Sequence, residues 1–328
     1  MAVLVTGGAG YIGSHMVYAL ADAGEDVVVL DNLSTGFRWA LPDKVPLYEG
    51  DTGDATLALE IIARHDIDAI IHFAASIVVP DSVADPLGYY RNNTANTRTL
   101  IEAAVKGGVK HFIFSSTAAV YGNPETVPVA EDAPTMPMSP YGWSKLMTEI
   151  ILRDTAHAHP LRYAVLRYFN VAGADPQLRT GQSTPAATHL IKVAVQTALG
   201  MRKKMDVFGT DYPTPDGTCI RDYIHVSDLV AAHSDALGYL RGGGQSVTLN
   251  CGYGRGFSVL EVIETVKKIS GIDFRVELAP RRPGDPAQIV AASGRARDIL
   301  GWTPRYDDLP TIVSHALAWE KKLKQINV

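Results

Sequence analysis

The chain is expected to be an α/β protein, a doubly wound parallel sheet with a second, smaller α/β lobe, and three features of the sequence predict it. Short, nearly all-apolar runs at 2–6, 27–30, 69–73, 111–115 and 162–168 alternate with helix-like stretches at 12–23, 56–64, 87–104 and 140–157. Apolar strands between amphipathic helices belong to a parallel sheet covered on both faces. A glycine-rich segment, Gly7 to Gly13, joins the first strand to the first helix. Beyond Ala172 the alternation loosens, and Gly and Pro gather in 174–185, 209–217 and 252–256. The expected division is therefore 1–172 for the first lobe and 173–328 for the second, with the stretch near 218–250 a candidate for returning to the first. Ligands should lie where the lobes meet, over the carboxyl ends of the strands.

Composition narrows the function classes. With 328 residues, 46% of them apolar, the chain can fill one large core or two modest ones. A net charge of -5 gives no bulk attraction to nucleic acid or to an anionic membrane. No apolar run reaches the length of a membrane span. Cys219 and Cys251 are too few and too far apart for a disulfide framework or a zinc cage, and no metal is expected. The first strand follows Met1 directly and leaves no room for a secretory leader, so a cytoplasmic protein is expected.

Gly7-Gly8-Ala9-Gly10-Tyr11-Ile12-Gly13 follows an apolar strand and opens a helix, the context that turns a weak glycine pattern into a Rossmann-type dinucleotide site. Gly7 permits the sharp turn, Gly10 lets backbone approach a pyrophosphate at the helix start, and Gly13 lets helix and strand pack closely. The competing reading is a merely tight strand-to-helix turn. The second strand ends in Asp31-Asn32, at about the ~20-residue distance where a carboxylate accepts both adenosine-ribose hydroxyls and repels a 2′-phosphate. NAD is thus favoured over NADP, although Arg38 argues the other way and Asp31 can simply begin a turn. Asp51, after the next strand, is placed either to contact the adenine edge or to cap a helix.

Tyr141-Gly142-Trp143-Ser144-Lys145 sets a phenol and an ammonium four residues apart on one helix face. A free phenol has a pKa near ~10, so a tyrosine acting as a base near neutrality needs positive charge beside it. Lys145 supplies one such charge. Tyr-x-x-x-Lys alone is a common accident, but the strand before it ends in Ser115-Ser116-Thr117. Ser116 or Thr117 can hydrogen-bond the hydroxyl on which Tyr141 acts, while a bland reading makes these hydroxyls strand-end caps.

In this order, the phrases Gly7 to His15, Asp31-Asn32-Leu33, Tyr89 to Asn93, Ser115 to Gly122, Tyr141 to Lys145, Tyr168-Phe169-Asn170, Cys219 to Asp228 and Arg282 to Asp285 resemble the extended short-chain dehydrogenase/reductase family. The resemblance spans essentially the whole chain and is strongest to the family's nucleotide-sugar 4-epimerases. It implies an NAD-dependent isomerase acting on a UDP-sugar, with Tyr141, Lys145, Thr117 and Ser116 catalytic. It also implies cofactor contacts from Gly7, Gly10, Tyr11, Ile12, Gly13, Asp31, Asn32, Asp51, Thr52, Phe73, Ala74, Asn92, Ser115, Tyr141, Lys145 and Tyr168. Thr117, Asn170, His189, Phe208, Arg221, Tyr223, Arg282, Asp285 and Ile289 are implied on the substrate side. A homodimer formed through two helices per subunit is expected by the same analogy.

Several of these positions have a plainer reading. Arg221 and Arg282 suit a pyrophosphate, or form surface ion pairs with Asp222 and Asp285. Phe208 and Tyr223 border the nucleotide or fill the core, and Asn92 binds near the phosphates or sits on a helix surface. The family's 4,6-dehydratases carry an Asp-Glu pair just after the active-site Thr, whereas this chain has Ala118-Ala119. Two alanines cannot serve as acid and base, so the chemistry should stop at oxidation and re-reduction of C4. Ile77 stands where many relatives have a Lys touching the cofactor, and His189 where several have an Asn on the diphosphate. Ile289, of intermediate bulk, leaves open whether a 2-acetamido sugar, a UDP-pentose or a UDP-uronate is accepted. Rival readings are a dehydrogenase that releases reduced cofactor and a non-catalytic NAD-binding scaffold.

Overall fold

A computed structural model describes residues 1–185, 187–282 and 285–326. Pro283 and Gly284, within the Arg282 to Asp285 phrase, lie outside the described residues. In the first half the strands and helices are β1 (Ala2–Thr6), α1 (Tyr11–Asp22), β2 (Val27–Asp31), β3 (Leu47–Glu49), α2 (Ala55–His65), β4 (Ile67–His72), α3 (Val79–Ala84), α4 (Pro86–Tyr89), α5 (Asn96–Lys106), β5 (His111–Thr117), α6 (Pro140–Ala158) and β6 (Arg162–Tyr168). There follow β7 (Asn170–Ala172), α7 (Leu190–Ala198), β8 (Met205–Phe208), β9 (Ile220–His225), α8 (Val226–Arg241), β10 (Val247–Cys251), β11 (Gly256–Ser258), α9 (Val259–Ser270), β12 (Val276–Ala279), β13 (Gln288–Ile289), α10 (Gly294–Leu300) and α11 (Leu309–Ile326).

Seven parallel strands in the order β10-β6-β5-β4-β1-β2-β3 form the main sheet. Both faces are buried, and the period of two shows in which side each residue takes. Val3, Val5, Ala69, Ile71, Ile113 and Leu166 pack under α1 and α8. Leu4, Leu30, Ile70, Phe112, Phe114 and Val165 pack under α2, α5 and α6. At roughly 1.5–3 kcal/mol per fully buried large apolar side chain, this two-sided burial is the chief source of the sheet's stability. The chain winds outward from β1 to β3, crosses back to β4 and winds the other way. The resulting crevice between β1 and β4 adjoins the glycine-rich turn.

The second lobe is built on β7, β9, β11 and β13, with β8 paired to β12. Its core joins α7, α9 and α11 through Ile191, Val195, Val262, Val266, Ile312 and Val313. After β9 the chain leaves this lobe: α8 packs on the main sheet and β10 pairs with β6. Among the described residues no helix is long and apolar enough to cross a membrane.

One element differs from the periodicity. Where a single helix is expected over 87–104, the chain forms α4, a π-helical stretch Tyr90–Ala95 and then α5. The wider turn carries two asparagines to polar partners. Asn92 Nδ2 donates to Ser76 Oγ at 2.9 Å, and Asn93 Nδ2 donates to the Ser76 carbonyl at 2.9 Å and Ser144 Oγ at 3.1 Å. Asn93 is 2% exposed, so its amide has to be satisfied inside the protein, a demand that hydrophobic spacing does not register.

Candidate active site

The carboxyl ends of β1, β4, β5 and β6 are adjacent in the sheet, and that order gathers the residues singled out from sequence. Gly7, at φ +68, makes the turn after β1; a Cβ there would lie 2.6 Å from the Ala74 amide nitrogen. At Gly13 a Cβ would sit 2.0 Å from the Gly7 carbonyl oxygen. Gly10 is the N-cap of α1 and brings no side chain to cap it. The orphan amides of that first turn, from Tyr11, Ile12 and Gly13, are the kind an anionic group binds. Tyr11 itself is half-buried, and its hydroxyl donates to the Gly173 carbonyl at 2.8 Å, tying this turn to the second lobe.

Asp31 ends β2 and is 8% exposed. It accepts the Ala9 amide at 2.9 Å and the Leu33 amide at 2.8 Å, so it both starts a turn and holds the glycine segment. Burial raises its pKa, against the two backbone bonds. A carboxylate has about four acceptor directions, so two remain for hydroxyls. The cap of α2 is Asp54, whose side chain accepts from Thr56 and Leu57. Asp51, beside the buried Thr52, instead accepts Asn96 Nδ2 at 2.7 Å and the Gly53 amide at 2.8 Å, with Asn32 Nδ2 at 3.4 Å.

Helix α6 starts on Ser139, whose hydroxyl accepts the Gly142 amide, with Pro140 at the first helical position. Its first two turns aim Tyr141 and Lys145 at the end of β5. Lys145 Nζ donates to the Ser115 carbonyl at 3.0 Å and lies 4.9 Å from the centre of the Phe114 ring. Burial carries the Tyr141 phenol up to about 12, and the neighbouring Thr117 hydroxyl opposes that rise. Burial likewise brings Lys145 down to about 7, with Glu149 acting to hold it up. The protein matrix therefore drives both groups toward neutrality, and a positive charge beside Tyr141 is what favours its phenolate.

The three hydroxyls at the end of β5 are separated by strand alternation. Ser115 Oγ lies 2.9 Å from His233 Nε2 on the α8 side. Ser116 Oγ donates to Glu149 Oε1 at 2.5 Å on the α6 side. Thr117 is the one beside Tyr141, so the pairing of Ser116 with the reacting hydroxyl expected from sequence has its donor committed elsewhere. Phe73 lies 4.8 Å from the His233 ring, and Tyr168 lies 6.4 Å from it. A continuous line of contacts thus runs from the glycine turn through Ala74 and Phe73 to His233, Ser115 and Lys145.

Across the crevice the second lobe contributes a polar cluster. The Arg282 guanidinium stacks 3.9 Å from the centre of the Phe208 ring, and Arg221 Nη2 lies 3.4 Å from Asp285 Oδ1. Arg221 is the register partner of Ile289. Asn170, His189 and the buried Tyr223 line one cavity with Gln182 and Lys192. His189 Nδ1 lies 2.7 Å from Gln182 Nε2, and burial followed by Lys192 lowers its pKa. Since the amide nitrogen can only donate, His189 accepts there and carries its proton on Nε2.

Ile289 is 7% exposed, packed with Ala118, Val120, Tyr121, Val129, Leu146 and Phe169. Its bulk fills a cluster behind Thr117, whereas Gln288 beside it faces outward. Ile77 is 51% exposed. Sequence reasoning missed Glu149 on α6 itself, and Asn93, Arg167 and His233, which support the site from other elements. Only Glu149 left a signal, a second i+4 step from Tyr141 through Lys145.

Comparison with known proteins gives a consistent setting. The family model for the NAD dependent epimerase/dehydratase family matches residues 3–252. The UDP-glucose 4-epimerase of Azospirillum brasilense is 61% identical over 323 residues, covering 98% of this chain and 93% of that protein. The crystal structure of UDP-glucose 4-epimerase from Brucella ovis in complex with NAD has a TM-score of 0.94 at 43% identity, covering 96% of this chain and 97% of that one. The Bifidobacterium longum enzyme in complex with NAD+ and UDP has a TM-score of 0.93 at 38% identity, covering 98% of both chains.

Proposed function

This chain belongs to the NAD dependent epimerase/dehydratase family, and on that footing we propose that it inverts C4 of a UDP-hexose, interconverting UDP-glucose and UDP-galactose. The observation that carries the reading is the meeting of Tyr141, Lys145 and Thr117 at the end of β5, in contact through Phe73 and Ala74 with the glycine turn. The glycine cradle and Asp31 fit NAD: the first-turn amides of α1 would take its pyrophosphate and Asp31 the adenosine ribose. When bound, NAD accepts a hydride and later returns it, and its positive ring favours anionic oxygen nearby.

The chain's own residues handle protons and position. Tyr141 takes the proton of the C4 hydroxyl, Thr117 orients that hydroxyl, and Lys145, fixed on the Ser115 carbonyl, supports the phenolate. Arg221, Arg282 and Asn170 hold the diphosphate, Phe208 and Tyr223 border the uridine, and Asp285 takes its ribose. His189 presents Nε2–H as a further donor. With the nucleotide held and the sugar free to turn, Tyr141 returns the proton after the hydride comes back to the opposite face. Ala118 and Ala119 offer no group for eliminating water, so the sugar leaves with all its oxygens.

A homodimer follows from the same reading. Val83, Leu87, Trp143, Met147 and Ile150 are all exposed, Leu87 at 80%, and the last three share one face of α6. This is an apolar surface on three helices, α3, α4 and α6, suited to a twofold partner. A cytoplasmic location accords with Cys219 and Cys251, which are free thiols. Incubation of the purified protein with UDP-galactose should yield UDP-glucose at equilibrium. UDP-N-acetylgalactosamine and UDP-xylose in parallel define the sugar class, and no conversion of any of the three would defeat the epimerase reading.

A further inference from the structure

Beneath the reacting residues lies a buried charge pair that the reaction as described does not use. Tyr141, Lys145 and Glu149 follow one another at four-residue steps along α6 and share its inner face. Glu149 and Arg167 each leave 8% of their side chains exposed, and Arg167 Nη2 lies 2.6 Å from Glu149 Oε2. Arg167 Nε is shared between the two carboxylate oxygens at 3.0 and 3.2 Å. Arg167 Nη1 donates to the Tyr121 hydroxyl at 3.0 Å and to the Glu131 carbonyl at 3.1 Å, and Tyr121 donates on to Asn250 Oδ1 at 2.7 Å. Ser116, whose hydroxyl is bound to Glu149, is the register partner of Arg167.

A buried ion pair adds little stability over well-packed apolar side chains, because desolvation offsets the attraction. This one joins three elements at one point: α6 through Glu149, β6 through Arg167 and β5 through Ser116. Ser115, whose carbonyl accepts from Lys145, and Thr117, beside Tyr141, flank Ser116. We propose that Glu149, clamped by Arg167 and Ser116, is a positioning residue of the reaction: it fixes the end of β5 against α6 and supplies the fixed negative charge that keeps Lys145 an ammonium. The inference rests on the epimerase reading above.

The charge balance at Lys145 has identifiable members. Glu149 on α6 and His72 on β4 act on it directly, Tyr141 stands one turn before it on α6, His233 reaches it through Ser115, and Arg167 of β6 acts through its bond to Glu149. His72 and His233 are neutral, since burial drives them down to about 3 and about 4. Glu149 and Arg167 are then the charges whose removal should move Lys145, and in opposite directions. Glu149→Gln leaves the guanidinium without its counter-charge and lowers the pH at which Lys145 loses its proton. Arg167→Gln leaves the carboxylate alone and raises it.

The test measures epimerisation of UDP-galactose against pH, with an NMR titration of isotopically labelled lysine side chains assigned by Lys145→Met. The alkaline limb of kcat and the Lys145 midpoint should move down by about one pH unit in Glu149→Gln and up by a similar amount in Arg167→Gln, as expected for a charge within a few ångströms. In Glu149→Gln kcat should fall about tenfold or more with KM within about threefold, the pattern of a loss confined to the transition state. Where a single variant does not fold, the charge-balanced pair Glu149→Gln with Arg167→Gln should place the limb back at the wild-type pH. Shifts in the same direction, no shift, or a displaced limb in the pair would overturn the assignment while leaving the epimerase reading intact. An inactive wild type would overturn both.

Discussion

At the scale of single residues, the proposed chemistry rests on a phenol and an ammonium that burial alone would neutralise. Tyr141→Phe removes the proton acceptor and should lower kcat by roughly 10²–10⁴-fold with little change in KM, the usual share of a general base. Steady-state kinetics on UDP-galactose checks this, and a loss confined to KM would remove Tyr141 from the chemistry. Asp31→Ser deletes the acceptor of the Ala9 amide and of the proposed ribose hydroxyls, so the NAD content of the purified protein should drop and NADP should be tolerated better. The pair Tyr141 and Lys145 was legible in the sequence because four-residue spacing on a helix is local and a hydroxyl-rich strand end precedes it. His233 was not legible, since its partner Ser115 is 118 residues away and nothing near either residue marks the contact. Ser116 shows the reverse: composition grouped it with Thr117, but alternation along β5 turns it to the opposite face, where Glu149 meets it.

At the scale of elements, the glycine turn and the π-helical stretch are where the backbone departs from the regular pattern for the site. Gly13→Ala puts a Cβ 2.0 Å from the Gly7 carbonyl oxygen, so α1 and β1 must move apart. The expected outcome is loss of copurified NAD together with a lower melting temperature, read from absorbance after denaturation and from calorimetry. Retention of both would show that close helix–strand packing is not what Gly13 provides. The main strands were readable because nearly all-apolar runs mark strands buried on both faces. The helix expected over 87–104 was not, because Asn93 bends it toward Ser76 and Ser144 through hydrogen bonds that apolar periodicity does not record. The small strands of the second lobe were equally hidden: β7, β11 and β13 are two or three residues long and owe their form to pairing with β9, not to local propensity.

At the scale of the whole molecule, buried histidines tie stability to pH. His72 and His233 are held neutral at about 3 and about 4, below the 6.5 of the free side chain. The unfolded chain therefore takes up protons that the folded one refuses as pH drops below 6.5. Stability is complete above that value and is lost on acidification, by roughly 1 kcal/mol per group for each pH unit within the window. Denaturant midpoints should fall between pH 7.5 and 5.5, and an unchanged midpoint would contradict the burial of these rings. Leu87→Glu with Ile150→Glu should convert the proposed dimer to a monomer by light scattering, without altering the chemical residues. All these devices serve one claim, that the hydrogen on C4 leaves as hydride and returns to the same carbon from within the protein. The most direct measurement is conversion of UDP-galactose in deuterated water, followed by NMR of the UDP-glucose formed. The account predicts full epimerisation with protium retained at C4; deuterium at that carbon would contradict it.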